Sequence, residues 1–130
     1  FAQSDVISNH LANNPQTVGM LNAQLFDRMK PNTTFINTGR GAQVVEADMI
    51  AALRADPSRA AVLDVTYPEP PREDSPLYTL DNVYLTPHIA GSLGNEVRRM
   101  GEYMLSEYRH VAAGEETKYG VTLKMLETMA

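Results

Sequence analysis

Three side chains in this sequence are of types that work together on a carboxylic acid. Arg40 stands between Gly39 and Gly41, Glu69 between Pro68 and Pro70, and His88 directly after Pro87. A guanidinium is a rigid planar fork that grips a carboxylate through two parallel hydrogen bonds. Imidazole is the usual group for moving a proton near neutral pH, and a carboxylate beside it fixes the ring tautomer and stabilises imidazolium. Such a set can hold an acid by its carboxylate and exchange a proton with an adjacent oxygen. Each residue alone also has a plain reading: Arg40 as a turn residue, Glu69 as an exposed loop charge, His88 as a satisfied structural histidine. Gly39, Gly41 and Gly91 can likewise be suppliers of positive φ at strand-to-helix turns. Chemistry requires that the three converge.

The elements predicted from the pattern make them converge. Four short runs rich in β-branched or aromatic residues read as buried strands: residues 5–8, 34–37, 61–65 and 83–86. Between the first two, a helix is predicted from Asn22 as N-cap through Leu25, Phe26 and Met29, stopped by Pro31. Between the second and third, residues 46–55 put Met49, Ile50 and Leu53 on one helical face. Strands alternating with short helices imply the α/β class and a parallel sheet. In open parallel sheets, ligands bind beyond the carboxyl ends of the strands. Arg40 follows the second strand, Glu69 the third and His88 the fourth, so all three hang from one edge. His10, near the end of the first strand, is read as structural, because no acid or base partner follows it.

After the fourth strand the period changes. Leu93, Val97, Met100, Met104, Tyr108 and Val111 recur at three- and four-residue steps and predict one long amphipathic helix. Ser92 is its expected cap, Gly114 its stop, and its apolar stripe is expected to be core packing. A short second helix is predicted over residues 123–129. The stretch Pro68-Glu69-Pro70-Pro71 reads as a rigid loop.

Composition limits the function classes. Of 130 residues, 43% are hydrophobic and 21% charged, as in an ordinary globular domain. Asp and Glu outnumber Lys and Arg by 16 to 11, a net charge of −5, so no nucleic-acid partner is expected. No apolar run approaches the ~18 residues that a bilayer span needs, so no membrane partner is expected either. The absence of cysteine excludes a disulfide framework and cysteine-based zinc sites, and no metal is expected. With no charged-then-apolar leader at Phe1, the expected location is the cytoplasm. A chain that starts at Phe, without Met, is expected to be a piece of something longer.

The stretch Phe35-Ile36-Asn37-Thr38-Gly39-Arg40-Gly41, followed by Val44-Val45-Glu46-Ala47, closely resembles a signature of the D-isomer-specific 2-hydroxyacid dehydrogenases. So do Leu63-Asp64-Val65 with Pro68-Glu69-Pro70, and Leu85-Thr86-Pro87-His88-Ile89-Ala90-Gly91. The resemblance covers essentially the whole chain and weakens only after Gly114. It implies interconversion of a small 2-keto acid and a D-2-hydroxy acid by hydride transfer with NAD, NADP being left open. It also implies that Arg40 binds the substrate carboxylate and carbonyl, His88 is the acid/base, and Glu69 is its carboxylate partner. Asp64 corresponds to the aspartate that holds the nicotinamide carboxamide, and Thr38, Gly39, Arg40, His88, Ile89, Ala90 and Gly91 to the lining of the cofactor site. The formate dehydrogenase branch has glutamine where Glu69 stands, so the hydroxyacid branch is the one resembled.

Two features depart from the family pattern. There is no Gly-x-Gly-x-x-Gly phosphate loop, and Ala12-Asn13-Asn14 lacks the family's usual Pro. Residues 1–91 are therefore expected to be the second half of a Rossmann-type NAD(P)-binding domain. Residues 92–130 are expected to be a hinge helix and tail belonging to the substrate domain. The complete protein is expected to be a homodimer, and this chain alone inactive. The alternative reading is a dinucleotide-sensing, protein-binding module of the C-terminal-binding-protein corepressor type.

Overall fold

The computed structural model describes residues 1–127 and 129. The chain forms two compact units, Phe1–Ile89 and Ala90–Met129. The first contains β1 (Val6–Asn9), α1 (Ala23–Phe26), β2 (Thr34–Asn37), α2 (Glu46–Ala55), β3 (Ala60–Leu63) and β4 (Val83–Leu85), with single 3-10 turns at Gly41–Gln43 and Pro76–Tyr78. All neighbouring strands pair in parallel, in the order β1-β2-β3-β4. The predicted α/β class and all four strands are present, each end within two residues of its expected place.

Alternation along the strands decides which face is covered. Phe35, Ala61 and Leu63 point to the side where Phe26 and Met29 from the α1 segment and Met49, Ile50 and Leu53 from α2 are buried. The Phe26 and Phe35 rings meet edge-on at 5.2 Å, and Phe1 meets Phe26 the same way at 5.8 Å. The opposite face carries the register row Ser8, Ile36, Val62 and Tyr84, none of which is buried.

Helix α1 is shorter than its sequence pattern predicts. Asn22 caps it as expected, accepting from the Gln24 amide at 3.1 Å. From Arg28 onward, however, the amides of Arg28 and Met29 reach back only three residues, to the carbonyls of Leu25 and Phe26. The last predicted turn is thus 3-10-like, a tightening common at helix ends. Helix α2 ends without a glycine cap, and two side chains from outside it donate to carbonyls of its last turn. Arg59 donates to the Ala52 carbonyl at 3.3 Å and also to the Met29 carbonyl that closes the α1 segment. Asn82 donates to the Leu53 carbonyl at 3.0 Å and to the Arg59 carbonyl at 2.8 Å.

In the second unit, α3 (Asn95–Ala113) is the long amphipathic helix, followed by a 3-10 turn at Met125–Glu127. Gly114 stops it in the left-handed conformation, as predicted. Two expectations fail. The N-cap is Gly94 at φ +54, not Ser92, and no side chain caps the helix there. The apolar stripe is not core: no residue of α3 is buried, and Val97, Met100, Met104, Tyr108 and Val111 are all exposed. Of the short second helix predicted over 123–129, the 3-10 turn is what forms, and Thr128 lies outside the described residues. The tail is held to α3 by Glu107, whose carboxylate accepts from the backbone amides of Lys118 and Tyr119 at 3.1 and 3.0 Å.

Because Arg59 reaches the ends of both helical segments, Arg59→Met should destabilise the first unit. Two buried carbonyls would lose their donor, a cost of about 1–3 kcal/mol. Urea unfolding followed by circular dichroism reads this as a lower midpoint with an unchanged slope.

Candidate active site at the carboxyl ends of the strands

The parallel register aligns the last paired residues of all four strands in one row, Asn9, Asn37, Leu63 and Leu85. The chain therefore leaves the sheet at one level, at His10, Thr38, Asp64 and Thr86. Backbone bonds continue one step beyond the row, with the Asp64 amide on the Asn37 carbonyl at 2.9 Å and the Thr86 amide on the Leu63 carbonyl at 3.0 Å.

Glu69 and His88 meet here. His88 Nδ1 lies 2.6 Å from Glu69 Oε1, and both side chains are a little over 40% exposed, at 44% and 41%. At that distance the ring nitrogen donates to the carboxylate in a short charge-assisted bond. Both X-Pro peptides flanking Glu69, Tyr67–Pro68 and Glu69–Pro70, are cis. His88 itself is in the left-handed region at φ +52. The pair lines a cleft of about 460 Å³ together with Asp64, Thr66, Tyr78 and Thr86.

Asp64 is almost fully buried, at 5% exposure. Its Oδ1 accepts from the Thr86 hydroxyl at 2.5 Å and from the Ile89 amide at 2.8 Å. This buried carboxylate lines the same cleft as the Glu69–His88 pair. Among the described residues no cluster of three or more His, Cys, Asp or Glu could hold a metal ion.

Arg40 is on the same edge but not in contact with that pair. Its guanidinium is exposed and turned back on its own loop, donating to the Gly39 carbonyl at 2.7 Å. With Thr38, Gly39, His10, Leu11 and Asn13 it lines a second cleft of about 200 Å³. His10 shares its ring Nε2 with the Ser8 hydroxyl at 2.7 Å. Ala90 and Gly91 open the second unit, both exposed, Gly91 at φ +130.

Sequence reasoning did not identify the groups that hold the Arg40 loop. Asn9, Asn37 and Gln43 are buried and joined through their side-chain amides. Asn9 Nδ2 donates to Asn37 Oδ1 at 2.9 Å and to Gln43 Oε1 at 2.5 Å. Asn37 then brackets Arg40, accepting from the Gly39 amide at 3.1 Å and donating to the Arg40 carbonyl at 3.2 Å. Gln43 donates to the carbonyls of Leu11 and Ala12 at 2.6 and 2.9 Å. The available signal was two adjacent strands that each end in Asn at an inward-facing position.

The same bonds explain the segment that departs from the family pattern. With no proline at Ala12–Asn14, the segment after β1 is fixed by Gln43 and by Thr17, whose hydroxyl donates to the Ala12 carbonyl at 2.5 Å. Asn14 adds an Asx-type turn by accepting from the Gln16 and Thr17 amides at 3.0 and 3.2 Å.

Positive φ turns out to be the wrong explanation for two of the three glycines; only Gly91 has it. Gly41 is required by close approach, since a Cβ there would stand 2.0 Å from the Thr66 carbonyl carbon and oxygen. A Cβ on Gly39 would meet Asn9 and Gln43 at 3.2–3.3 Å.

Residues 1–90 match the family described as "D-isomer specific 2-hydroxyacid dehydrogenase, NAD binding domain". The chain is 36% identical over 127 residues to a D-3-phosphoglycerate dehydrogenase of Archaeoglobus fulgidus, covering 98% of the chain and 24% of that protein. It is 42% identical over 88 residues to a glyoxylate/hydroxypyruvate reductase A of Salmonella paratyphi B, covering 68% of the chain and 28% of that protein. A crystal structure of a D-isomer specific 2-hydroxyacid dehydrogenase from Xanthobacter autotrophicus Py2, in complex with NADPH and MES, superposes with a TM-score of 0.84 at 34% identity. That match covers 96% of this chain and 40% of the other. The chain thus spans about a quarter of the length of these curated relatives.

The contact at Gly41 gives a test that separates packing from conformation. Gly41→Ala should lower stability by about 1–3 kcal/mol or more, because the obstruction is backbone and cannot swing aside. Gly101→Ala, inside α3 with nothing within 4 Å of the added carbon, should instead stabilise by about 0.5–1 kcal/mol. Equilibrium unfolding of the two variants side by side reads both signs.

Proposed function

Because the chain belongs to the D-isomer-specific 2-hydroxyacid dehydrogenase family, we propose that it supplies the proton-transfer and nicotinamide side of an active site interconverting a 2-keto acid and a D-2-hydroxy acid. The observation that carries this reading is the 2.6 Å bond between His88 Nδ1 and Glu69, next to buried Asp64 at the strand ends. With Nδ1 given to Glu69, Nε2 is the nitrogen that exchanges a proton with the substrate oxygen. Glu69 holds the ring tautomer and stabilises imidazolium when it forms. Arg40 takes the substrate carboxylate, exchanging its bond to the Gly39 carbonyl for a two-point grip. Asp64 is the acceptor for the nicotinamide carboxamide, with Thr38, Gly39 and residues 88–91 lining the cofactor. When bound, the dinucleotide would supply the hydride in its reduced form and accept it in its oxidised form.

In this reading residues 1–91 are the second half of the dinucleotide domain, and residues 92–130 belong with the substrate domain. The intact protein is a homodimer of the cytoplasm. Turnover of glyoxylate and hydroxypyruvate by the intact protein, with NADH and NADPH in parallel, is the direct test. Dinucleotide binding without turnover of any 2-keto acid would instead favour a protein-binding role of the corepressor type.

Arg40→Lys keeps the charge and loses the fork. Its kcat/KM for 2-keto acids should fall by about 2–4 kcal/mol in transition-state terms, with cofactor affinity little changed. Near-native kcat/KM would reduce Arg40 to a turn residue. Glu69→Gln should lower kcat by about 10²–10⁴-fold while KM stays close to native, because orientation and charge at His88 are lost rather than binding.

The chain of 130 residues by itself should neither turn over substrate nor bind NADH at micromolar concentration. Dinucleotide affinity in this fold depends on a pyrophosphate resting on glycine-loop amides at a helix N-terminus, and the sequence contains no such loop. Calorimetric titration with NADH, beside light scattering for mass, checks this. Micromolar binding by a monomer would contradict it.

A further inference from the structure

His88 holds a backbone conformation that L-residues with a full side chain seldom adopt. Among the described residues only Asn32 and His88 have positive φ without being glycine, a conformation uncommon for any residue with a side chain. A conformation of this kind persists only where its surroundings over-determine it. At His88 those surroundings trace to one oxygen. Asp64 Oδ1 accepts from the Thr86 hydroxyl two residues before His88 at 2.5 Å, and from the Ile89 amide one residue after it at 2.8 Å. The His88 amide closes the turn on the Thr86 carbonyl at 3.0 Å.

We infer that Asp64 and Thr86 are positioning residues for His88, clamping the Thr86–Ile89 turn from both sides so that the imidazole is aimed at Glu69. This goes beyond the cofactor contact proposed for Asp64, and it gives Thr86 a role that none of the motifs assigned. The physical basis is the register. Asp64 and Thr86 leave adjacent strands at the same level, so a carboxylate on one meets a hydroxyl on the other without reaching. The carboxylate is buried, so water does not compete for the two donors, and hydrogen bonds to a charged acceptor are the strong ones. Glu69, Asp64 and the Tyr78 hydroxyl are the titratable groups that line the cleft with His88.

The catalytic consequence rests on the function proposed above, whereas the geometric one does not, and the experiment reads them separately. In the intact protein, Thr86→Val removes the hydroxyl and leaves the Asp64 carboxylate in place for the cofactor. Expected are a fall in kcat of about tenfold or more, NAD(P)H affinity within about twofold of native by fluorescence titration, and loss of the far-downfield Nδ1–H proton resonance of the His88–Glu69 bond. That resonance is identified by its absence in Glu69→Gln. Thr86→Ser restores the hydroxyl and should restore both the resonance and kcat. Thr86→Ala replaces Thr86→Val should the latter fold poorly by circular dichroism.

A native resonance in a folded Thr86→Val protein would overturn the proposal, as would a wild-type protein lacking that resonance. So would Thr86→Ser failing to recover what Thr86→Val loses. A wild-type protein that shows the resonance but turns over no 2-keto acid would refute the functional reading alone. The positioning of His88 would then still be decided by the spectra.

Discussion

The parallel register is the constraint on which everything at this site depends. Parallel strands put all their carboxyl ends on one edge, and here the alignment is exact to the residue across Asn9, Asn37, Leu63 and Leu85. A slip of one residue would exchange the two faces of a strand. Phe35 would leave the core for the uncovered side, and the loop after that strand would start one position early. Burial of Phe35, Ala61 and Leu63 against α1 and α2 therefore fixes more than stability. It fixes which atoms of Asp64 and Thr86 face each other.

Beyond the register, the loops are held by polar groups taken out of water. Three side-chain amides, from Asn9, Asn37 and Gln43, are buried and mutually bonded, with the Arg40 backbone and the Leu11–Ala12 carbonyls as their outer partners. A buried polar network of this kind is costly when incomplete and specifies one arrangement when complete. Gly41 allows the same loop to come against the Thr66 backbone, closer than any side chain permits. Three strand ends thus carry the site: the loop after β2 presents the Arg40 guanidinium, and the loops after β3 and β4 bring Asp64, Glu69 and His88 together.

The strands, both helices of the first unit and the Glu69–His88 pairing were legible in the sequence, because each rests on local pattern or on chain order. Met49, Ile50 and Leu53 at helical spacing had to face inward, and Pro31 had to end the segment before it. What could not be read depends on contacts between residues distant in sequence. The partners of Gln43 lie 31–34 residues away, and the hydroxyl that meets Asp64 lies 22 residues on. Gly39 and Gly41 were read as conformational residues because positive φ is the commonest demand for glycine, whereas the real demand is space. For α3 the period predicted the helix correctly, but periodicity identifies an apolar stripe without identifying what covers it.

That last distinction bears on the chemistry. The row Ser8, Ile36, Val62 and Tyr84 and the stripe of α3 both carry apolar surface that the described residues leave in water. Parallel sheets in α/β proteins are ordinarily covered on both faces. The acid–base pair is likewise more than 40% exposed, and Arg40 is bonded to its own loop rather than poised over a substrate. Exposure weakens the electrostatic work of such groups, because water screens the charge that Glu69 offers His88 and competes for the Arg40 fork. The geometry of proton transfer is already set within these residues by the Asp64 clamp. Low-dielectric surroundings would make that geometry more effective. Under the proposed function, orientation resides in the sheet, and the strength of the charges depends on how far water is kept from them.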